Sequence, residues 1–155
     1  CAAFGGKKEI MNQIAPLGPI YQAGTLSGNP LSMASGLAML SALESDKSFY
    51  ENLGKRSQYL VNGIVSEAKA QNIPMTSNSV GGMFGLFFSS EKKVSNFSQA
   101  SSCNIELFKK FYNAMLKQGI YLAPSAYEAG FLSNAHTDDD LDKTINAAAT
   151  AFSLI

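Results

Sequence analysis

Charge is scarce in this chain. Lys and Arg number 12, Asp and Glu also 12, and together they make up 15% of 155 residues, with no net charge at neutral pH. A nucleic-acid partner would call for a basic surplus against its phosphates, and none exists. Intrinsic disorder needs low hydrophobicity with high net charge, whereas 46% of these residues are apolar. The two cysteines, Cys1 and Cys103, form neither a disulfide framework nor a metal-ligand spacing, so reduced thiols in a cytoplasmic protein are expected. No apolar run approaches the roughly 20 residues of a membrane span. No internal repeat is visible, and His136 is the single histidine.

The chain opens Cys-Ala-Ala-Phe-Gly-Gly, with neither Met nor a signal sequence. Mature bacterial lipoproteins also begin with Cys but continue into a polar tether. Here apolar residues and glycines follow, then Lys7-Lys8-Glu9-Ile10, which reads as truncation of a longer protein. The length suits one domain, or one small domain plus a piece of another. Low charge with abundant Ala, Gly, Ser and Met fits either an ordinary soluble domain or a surface covered by a partner or by further sequence.

Lys7 to Ile14 reads as one short helical segment, stopped by Pro16 and Pro19. Tyr21 to Pro30 is a loop of Gly and small hydroxyl residues. Asn29 is a good N-cap and Pro30 suits the first helical position, predicting a helix over Pro30 to Ser45. That helix has almost no charge before Glu44, which predicts burial on both sides. A second helix, about Asp46 to Gln71, carries Phe49, Leu53, Leu60 and Ile64 at helical intervals, with Lys55, Arg56, Glu67 and Lys69 outward. Strands are predicted at Met75 to Ser77 and Met83 to Ser89 around a Gly81-Gly82 turn. Glu91 to Cys103 is polar, serine-rich and without period, and reads as a mobile loop. Asn104 to Gln118 is a helix stopped by Gly119, and Ile120 to Ala123 a strand. After Thr137 a last helix starts with Asp138, Asp139 and Asp140 against the positive end of its dipole. Its buried stripe is Leu141, Ile145, Ala148 and Phe152. This order predicts an α+β fold, an antiparallel sheet with helices on one side.

Two segments could carry chemistry. Gly24-Thr25-Leu26-Ser27-Gly28-Asn29-Pro30 offers a hydroxyl and exposed backbone N–H groups ahead of a helix, a setting able to hold an anion. It lacks the Gly-Lys-Ser/Thr ending of a P-loop, and on the residues alone a plain capped turn is the favoured reading. In Pro124 to Thr137, Glu128 stands alone in a neutral, glycine-containing stretch, so its carboxylate either reaches solvent or has a specific partner. His136, just before a helix, is a cap or packed ring, or else a catalyst.

Tyr21 to Met33, YQAGTLSGNPLSM, closely resembles the stretch after the cofactor lysine in the glutamate-1-semialdehyde aminomutases, of the class III aminotransferase group of pyridoxal-phosphate enzymes. The opening AAFGGKKEIM and the Ser-x-x-Glu-x-x-Phe-x-Ser-x-x-His-Thr pattern from Ser125 to Thr137 resemble the same family. The likeness runs over nearly the whole chain; GTLSGNP together with EAGFLS narrows it to the aminomutases.

The resemblance implies that Gly24 and Thr25 contact the phosphate of pyridoxal 5′-phosphate or pyridoxamine 5′-phosphate held mainly by the other subunit of a homodimer. It implies Tyr21 at the edge of that active site and Glu128 near the substrate, both as catalytic candidates. No metal is implied. Residues 1–45 would be a remnant of the large cofactor-binding domain with a connecting helix, and 46–155 the small carboxyl-terminal domain of a fold-type I enzyme. The family's cofactor lysine is expected just before Cys1; Lys7 and Lys8 match ordinary family positions. This stretch alone is therefore expected to be inert and not to retain the cofactor. The activity implied is conversion of glutamate 1-semialdehyde to 5-aminolevulinate for tetrapyrrole synthesis, in the cytoplasm, on a small-molecule substrate, without nucleic acid or membrane. The rivals are another class III aminotransferase and a non-catalytic binding or interaction module.

Overall fold

The structure is a computed structural model describing residues 2–155, so both the lipid-anchor and the disulfide readings of Cys1 lie outside the described residues. The chain divides into two compact units, Cys1–Lys47 and Ser48–Ile155, against a division expected after Ser45.

In the first unit, helix α1 is a single turn, Lys8–Met11. It stops before Ile14 because the chain doubles back: Ala15 N–H donates to the Ile20 carbonyl at 2.8 Å and Ile20 N–H to the Gln13 carbonyl at 2.9 Å. Helix α2, Pro30–Ser45, has the bounds the sequence predicts, with Pro at its start and Asn29 as its cap. Its expected burial does not occur. No α2 residue is buried, and Leu31, Leu37, Met39 and Leu40 are all exposed. Its apolar side chains point in every direction, and the residues of this unit do not cover them.

The second unit begins with helix α3, Phe49–Ala70, which buries Leu53, Ser57, Leu60, Val61, Ile64 and Ala68 along one face. Lys55 and Lys69 point outward as expected, whereas Arg56 and Glu67 are half-buried. Strands β1, Thr76–Val80, and β2, Met83–Phe87, form an antiparallel hairpin with Val80 opposite Met83. Gly81, at φ +55°, supplies the positive φ that a two-residue hairpin turn needs at its first central position. Helix α4, Phe97–Ser101, lies in the stretch read as a mobile loop. Asn96 nucleates it, its side chain accepting from Gln99 N–H at 3.0 Å, while Val94 is buried beside it. One apolar anchor and a local cap thus replace the missing periodicity.

Helix α5, Ile105–Lys117, buries Phe108, Phe111, Ala114 and Met115. It ends at Gly119, φ +81°, with Ile120 N–H donating to the Met115 carbonyl and Gly119 N–H to the Leu116 carbonyl, both at 3.0 Å. That bond pair is a Schellman stop. Ile120 to Ala123 does not form the expected strand. Ile120 and Leu122 pack their side chains against the core, but the third strand, β3, is Gly130–Phe131, paired antiparallel to β2. Apolar side chains alone do not make a ladder; the backbone of 120–123 finds no strand to pair with. Helix α6, Asp138–Phe152, starts in a capping box between Thr137 and Asp140.

The sheet order is β1-β2-β3, so the α+β expectation holds. Phe84, Leu86 and Phe88 face the core side, where Phe88 meets the rings of Phe108, Phe111 and Phe152. Phe111 and Phe152 stack at 4.8 Å between centroids. Helices α3, α5 and α6 cover this face. Met83 and Phe87 point to the other, more open face.

Candidate functional site

The first candidate segment is a pair of overlapping turns. Ser27 N–H donates to the Gly24 carbonyl at 3.0 Å, and Asn29 N–H to the Leu26 carbonyl at 3.1 Å. Tyr21, Gly24 and Thr25 are all exposed on this loop. The start of α2 is not the anion site it resembles. The Asn29 side chain accepts from Leu31 N–H at 3.1 Å and Ser32 N–H at 3.2 Å, and Met33 N–H donates to the Asn29 carbonyl at 2.9 Å. Pro30 has no N–H, so the first helical turn has no donor to spare. The available donors belong to the loop: the amides of Thr25, Leu26 and Gly28 have no acceptor among the described residues, and the hydroxyls of Thr25 and Ser27 stand beside them. Exposed backbone N–H groups without an internal acceptor can donate to an anion. A Cβ on Gly24 would come 2.8 Å from Ser27 Oγ, a hydroxyl that can turn aside, so glycine here chiefly keeps the approach to the amides open. The loop contains no Lys or Arg. It fits a supporting contact to a phosphoester, whose charge must be neutralised elsewhere.

The second candidate segment lies in the other unit. Glu128 ends a turn closed by its own N–H donating to the Ser125 carbonyl at 3.1 Å, and tightened by Tyr127 N–H to Ser125 Oγ at 3.2 Å. Its side chain is exposed and makes no salt bridge among the described residues. Of the two outcomes open to it, solvent is the one realised. Two sizeable cavities and one of ≈ 20 Å³ border it. One, of ≈ 520 Å³, lies on the open face of the sheet against Met83, Phe87, Phe97 and Tyr127. The other, of ≈ 410 Å³, is also lined by Tyr121, His136 and Asp140.

Two residues downstream, Gly130 pairs with Phe84. A Cβ on Gly130 would sit 2.3 Å from the Phe84 ring, so only glycine lets that ring cover the strand here. The glycine of the EAGF stretch is thus a packing requirement, and it pins the downstream side of the Glu128 turn. Sequence reasoning did not single out Gly130, though a Gly two residues after the candidate acid was a signal.

His136 is a turn cap. Its Nδ1 lies 3.0 Å from the Ser133 backbone nitrogen and 3.2 Å from the Ser133 carbonyl oxygen, and the ring is exposed. Its carbonyl accepts from Arg56 Nη2, and Arg56 Nε meets Asp138 Oδ1 at 3.0 Å. Arg56, expected to face solvent, instead ties α3 to the start of α6. Asp140 is held below the usual carboxylate range, first by the Thr137 backbone N–H and then by the Thr137 hydroxyl. Burial pushes the Cys103 thiol up, against a smaller opposing effect of Ser89, which disfavours its thiolate. Among the described residues no His, Cys, Asp and Glu group could hold a metal ion, and no helix is long and apolar enough to cross a membrane.

Residues 1–150 match the family profile described as aminotransferase class-III. Among solved structures, an omega-transaminase from Sphaerobacter thermophilus is similar at 20% identity and TM-score 0.77, covering 96% of this chain and 34% of that one. A β-phenylalanine aminotransferase from Variovorax paradoxus is similar at 23% identity and TM-score 0.77, over 94% of this chain and 33% of its own. A transaminase with bound pyridoxal phosphate (PLP) follows at 21% identity and TM-score 0.76, over 96% and 34%. The chain therefore spans about a third of the length of these structures.

Proposed function

The chain belongs to the class-III aminotransferase family, and from that premise we propose that it is the carboxyl-terminal part of a glutamate-1-semialdehyde aminomutase. Such an enzyme moves an amino group within one molecule to give 5-aminolevulinate for tetrapyrrole synthesis. The observation that carries this reading is the exposed loop whose Thr25, Leu26 and Gly28 amides have no acceptor among the described residues, beside the Thr25 hydroxyl, on a YQAGTLSGNP stretch followed far downstream by EAGFLS.

In this reading Gly24 and Thr25 hold the phosphate of a cofactor bound mainly by the other subunit of a homodimer. Neutral donors suffice for that supporting contact, because the main charge pairing lies with the partner. Bound as pyridoxamine phosphate, the cofactor would supply the amine that is exchanged and an electron sink for the proton shifts. The Glu128 carboxylate, free of ion pairs and reaching solvent from a closed turn, faces the polar groups of the substrate. Tyr21, exposed on the Gly24–Asn29 side of the first unit, is the other catalytic candidate of this reading. The work is cytoplasmic, on a small molecule.

A full-length enzyme of this kind converts glutamate 1-semialdehyde as sole substrate through many turnovers. An aminotransferase working between two molecules stalls after half a reaction, and the names of the similar structures support that second reading. Replacing Thr25 with Ala removes a hydrogen bond to a charged group and should weaken cofactor retention roughly 10- to 100-fold. Unchanged retention would remove the basis of the proposal.

A further inference from the structure

The upstream side of the Glu128 turn has its own restraint. Tyr127, adjacent to Glu128, lies against Phe97, the first residue of α4, with ring centroids 5.9 Å apart at 35°. Phe97 is 75% exposed, so the ring is not there to fill the core. Its helix is nonetheless well anchored. Asn96 caps it, and the Gln99 side chain accepts from Ser95 N–H at 2.8 Å and from Ser95 Oγ at 3.1 Å. Buried Val94 holds it from before, and Asn104 N–H donates to the Phe88 carbonyl at 2.9 Å just after it. Phe97, Tyr127 and Glu128 all line the ≈ 520 Å³ cavity on the open face of the sheet.

We propose that Phe97 is a positioning residue for Glu128, acting through the ring of Tyr127. The Glu128 turn is then clamped at both ends: Gly130 lies beneath Phe84 downstream, and Tyr127 rests on Phe97 upstream. Without the upstream contact, residues 125–128 keep two hydrogen bonds to Ser125 and the packing of Ala126 against the core, and nothing restrains the exposed Tyr127 ring beside Glu128. A carboxylate in a polar, exposed position owes its placement to its backbone, so a loose turn means a misplaced acid. The serine-rich stretch before α5 is thus given a purpose that its composition conceals. The role rests on the reading of Glu128 as an active-site acid.

The test uses the full-length protein with three variants, Phe97→Ala, Phe97→Tyr and Glu128→Gln. Two readouts are needed: steady-state kinetics, and hydrogen exchange of the 125–129 amides. Phe97→Ala should speed exchange in the turn while leaving the Asp140 amide unchanged. It should lower kcat about tenfold with a smaller change in KM, within the roughly hundredfold that a 1 Å misplacement can cost. Phe97→Tyr keeps the ring and should restore both. If Glu128→Gln is impaired while Phe97→Ala changes neither readout, the positioning role is overturned and the active-site reading survives. If Glu128→Gln is itself silent, the active-site reading falls and takes the positioning role with it, whatever the exchange data show. Phe97 is a surface residue, so its Ala variant should fold; unchanged thermal unfolding confirms that a kinetic loss is local.

Discussion

Helices α2 and α3 follow one another in the chain and are built on opposite grounds. Helix α2 is well signalled locally: Asn29 caps two amides and Pro30 occupies the first turn, yet none of its residues is buried. Helix α3 has no side-chain cap bonded to its first turn, and six of its residues are buried. Capping chemistry decides where a helix begins, because it satisfies donors that the helix itself leaves open. Periodicity decides what a helix buries, because only residues at 3.6 spacing share a face. In α2 apolar character without a period demands cover on several sides at once, and its own unit does not give it.

The largest effect expected from this contrast is in the core. Ile64→Ala in α3 should cost about 2–5 kcal/mol, whereas Leu37→Ala in α2 of this chain should change stability by less than about 0.5 kcal/mol. Denaturant melts of the two variants compare them directly, and equal losses would break the contrast. Next comes Gly130→Ala, which drives a methyl into the Phe84 ring and should destabilise by about 1–3 kcal/mol. Adding Phe84→Leu should recover part of that loss, which separates overpacking from any change in backbone preference.

Removing the cap of α2 should have a smaller effect. Asn29→Ala should cost about 1 kcal/mol of helix stability, read as lost helical circular dichroism confined to the first unit. The pH dependence is more modest. Asp140 titrates below its ordinary range in the folded chain. It therefore stabilises the fold above the ordinary carboxylate pKa, and that contribution disappears as pH falls through the lowered value. Melts across the acidic range should show the loss in the native chain and a flatter acid limb in Thr137→Ala, which lacks the bonding hydroxyl. Least of all should follow from Ser57→Ala. The Ser57 hydroxyl is buried without a hydrogen-bond partner among the described residues, so its removal should be neutral or slightly stabilising; a clear loss would reveal a partner not evident from the packing of α3.

Much of the candidate chemistry could be read along the chain. The Gly24–Asn29 turn, the Asn29 cap and the bounds of α2 are all local matters, settled by residues within four positions of one another. The exposure of Glu128 was one of two outcomes an isolated acid allows. What surrounds it was not legible: Phe97 stands thirty residues upstream in a stretch without period, and Phe84 lies on a different strand from the glycine it covers. Such contacts follow from which strands pair, and no spacing within either segment reveals that.

The order of helices α2, α3, α5 and α6, the cap at Asn29, the stop at Gly119 and the amphipathic face of α3 were determined by the sequence alone. Each rests on hydrogen bonds or side-chain directions set within a turn or two of backbone. Tertiary structure decided that Gly130–Phe131 rather than Ile120 to Ala123 completes the sheet, that Arg56 turns inward to the start of α6, and that α4 reaches the Glu128 turn. Those outcomes depend on which distant backbone offers a free edge or an unpaired carbonyl, and that is fixed only once the chain has packed.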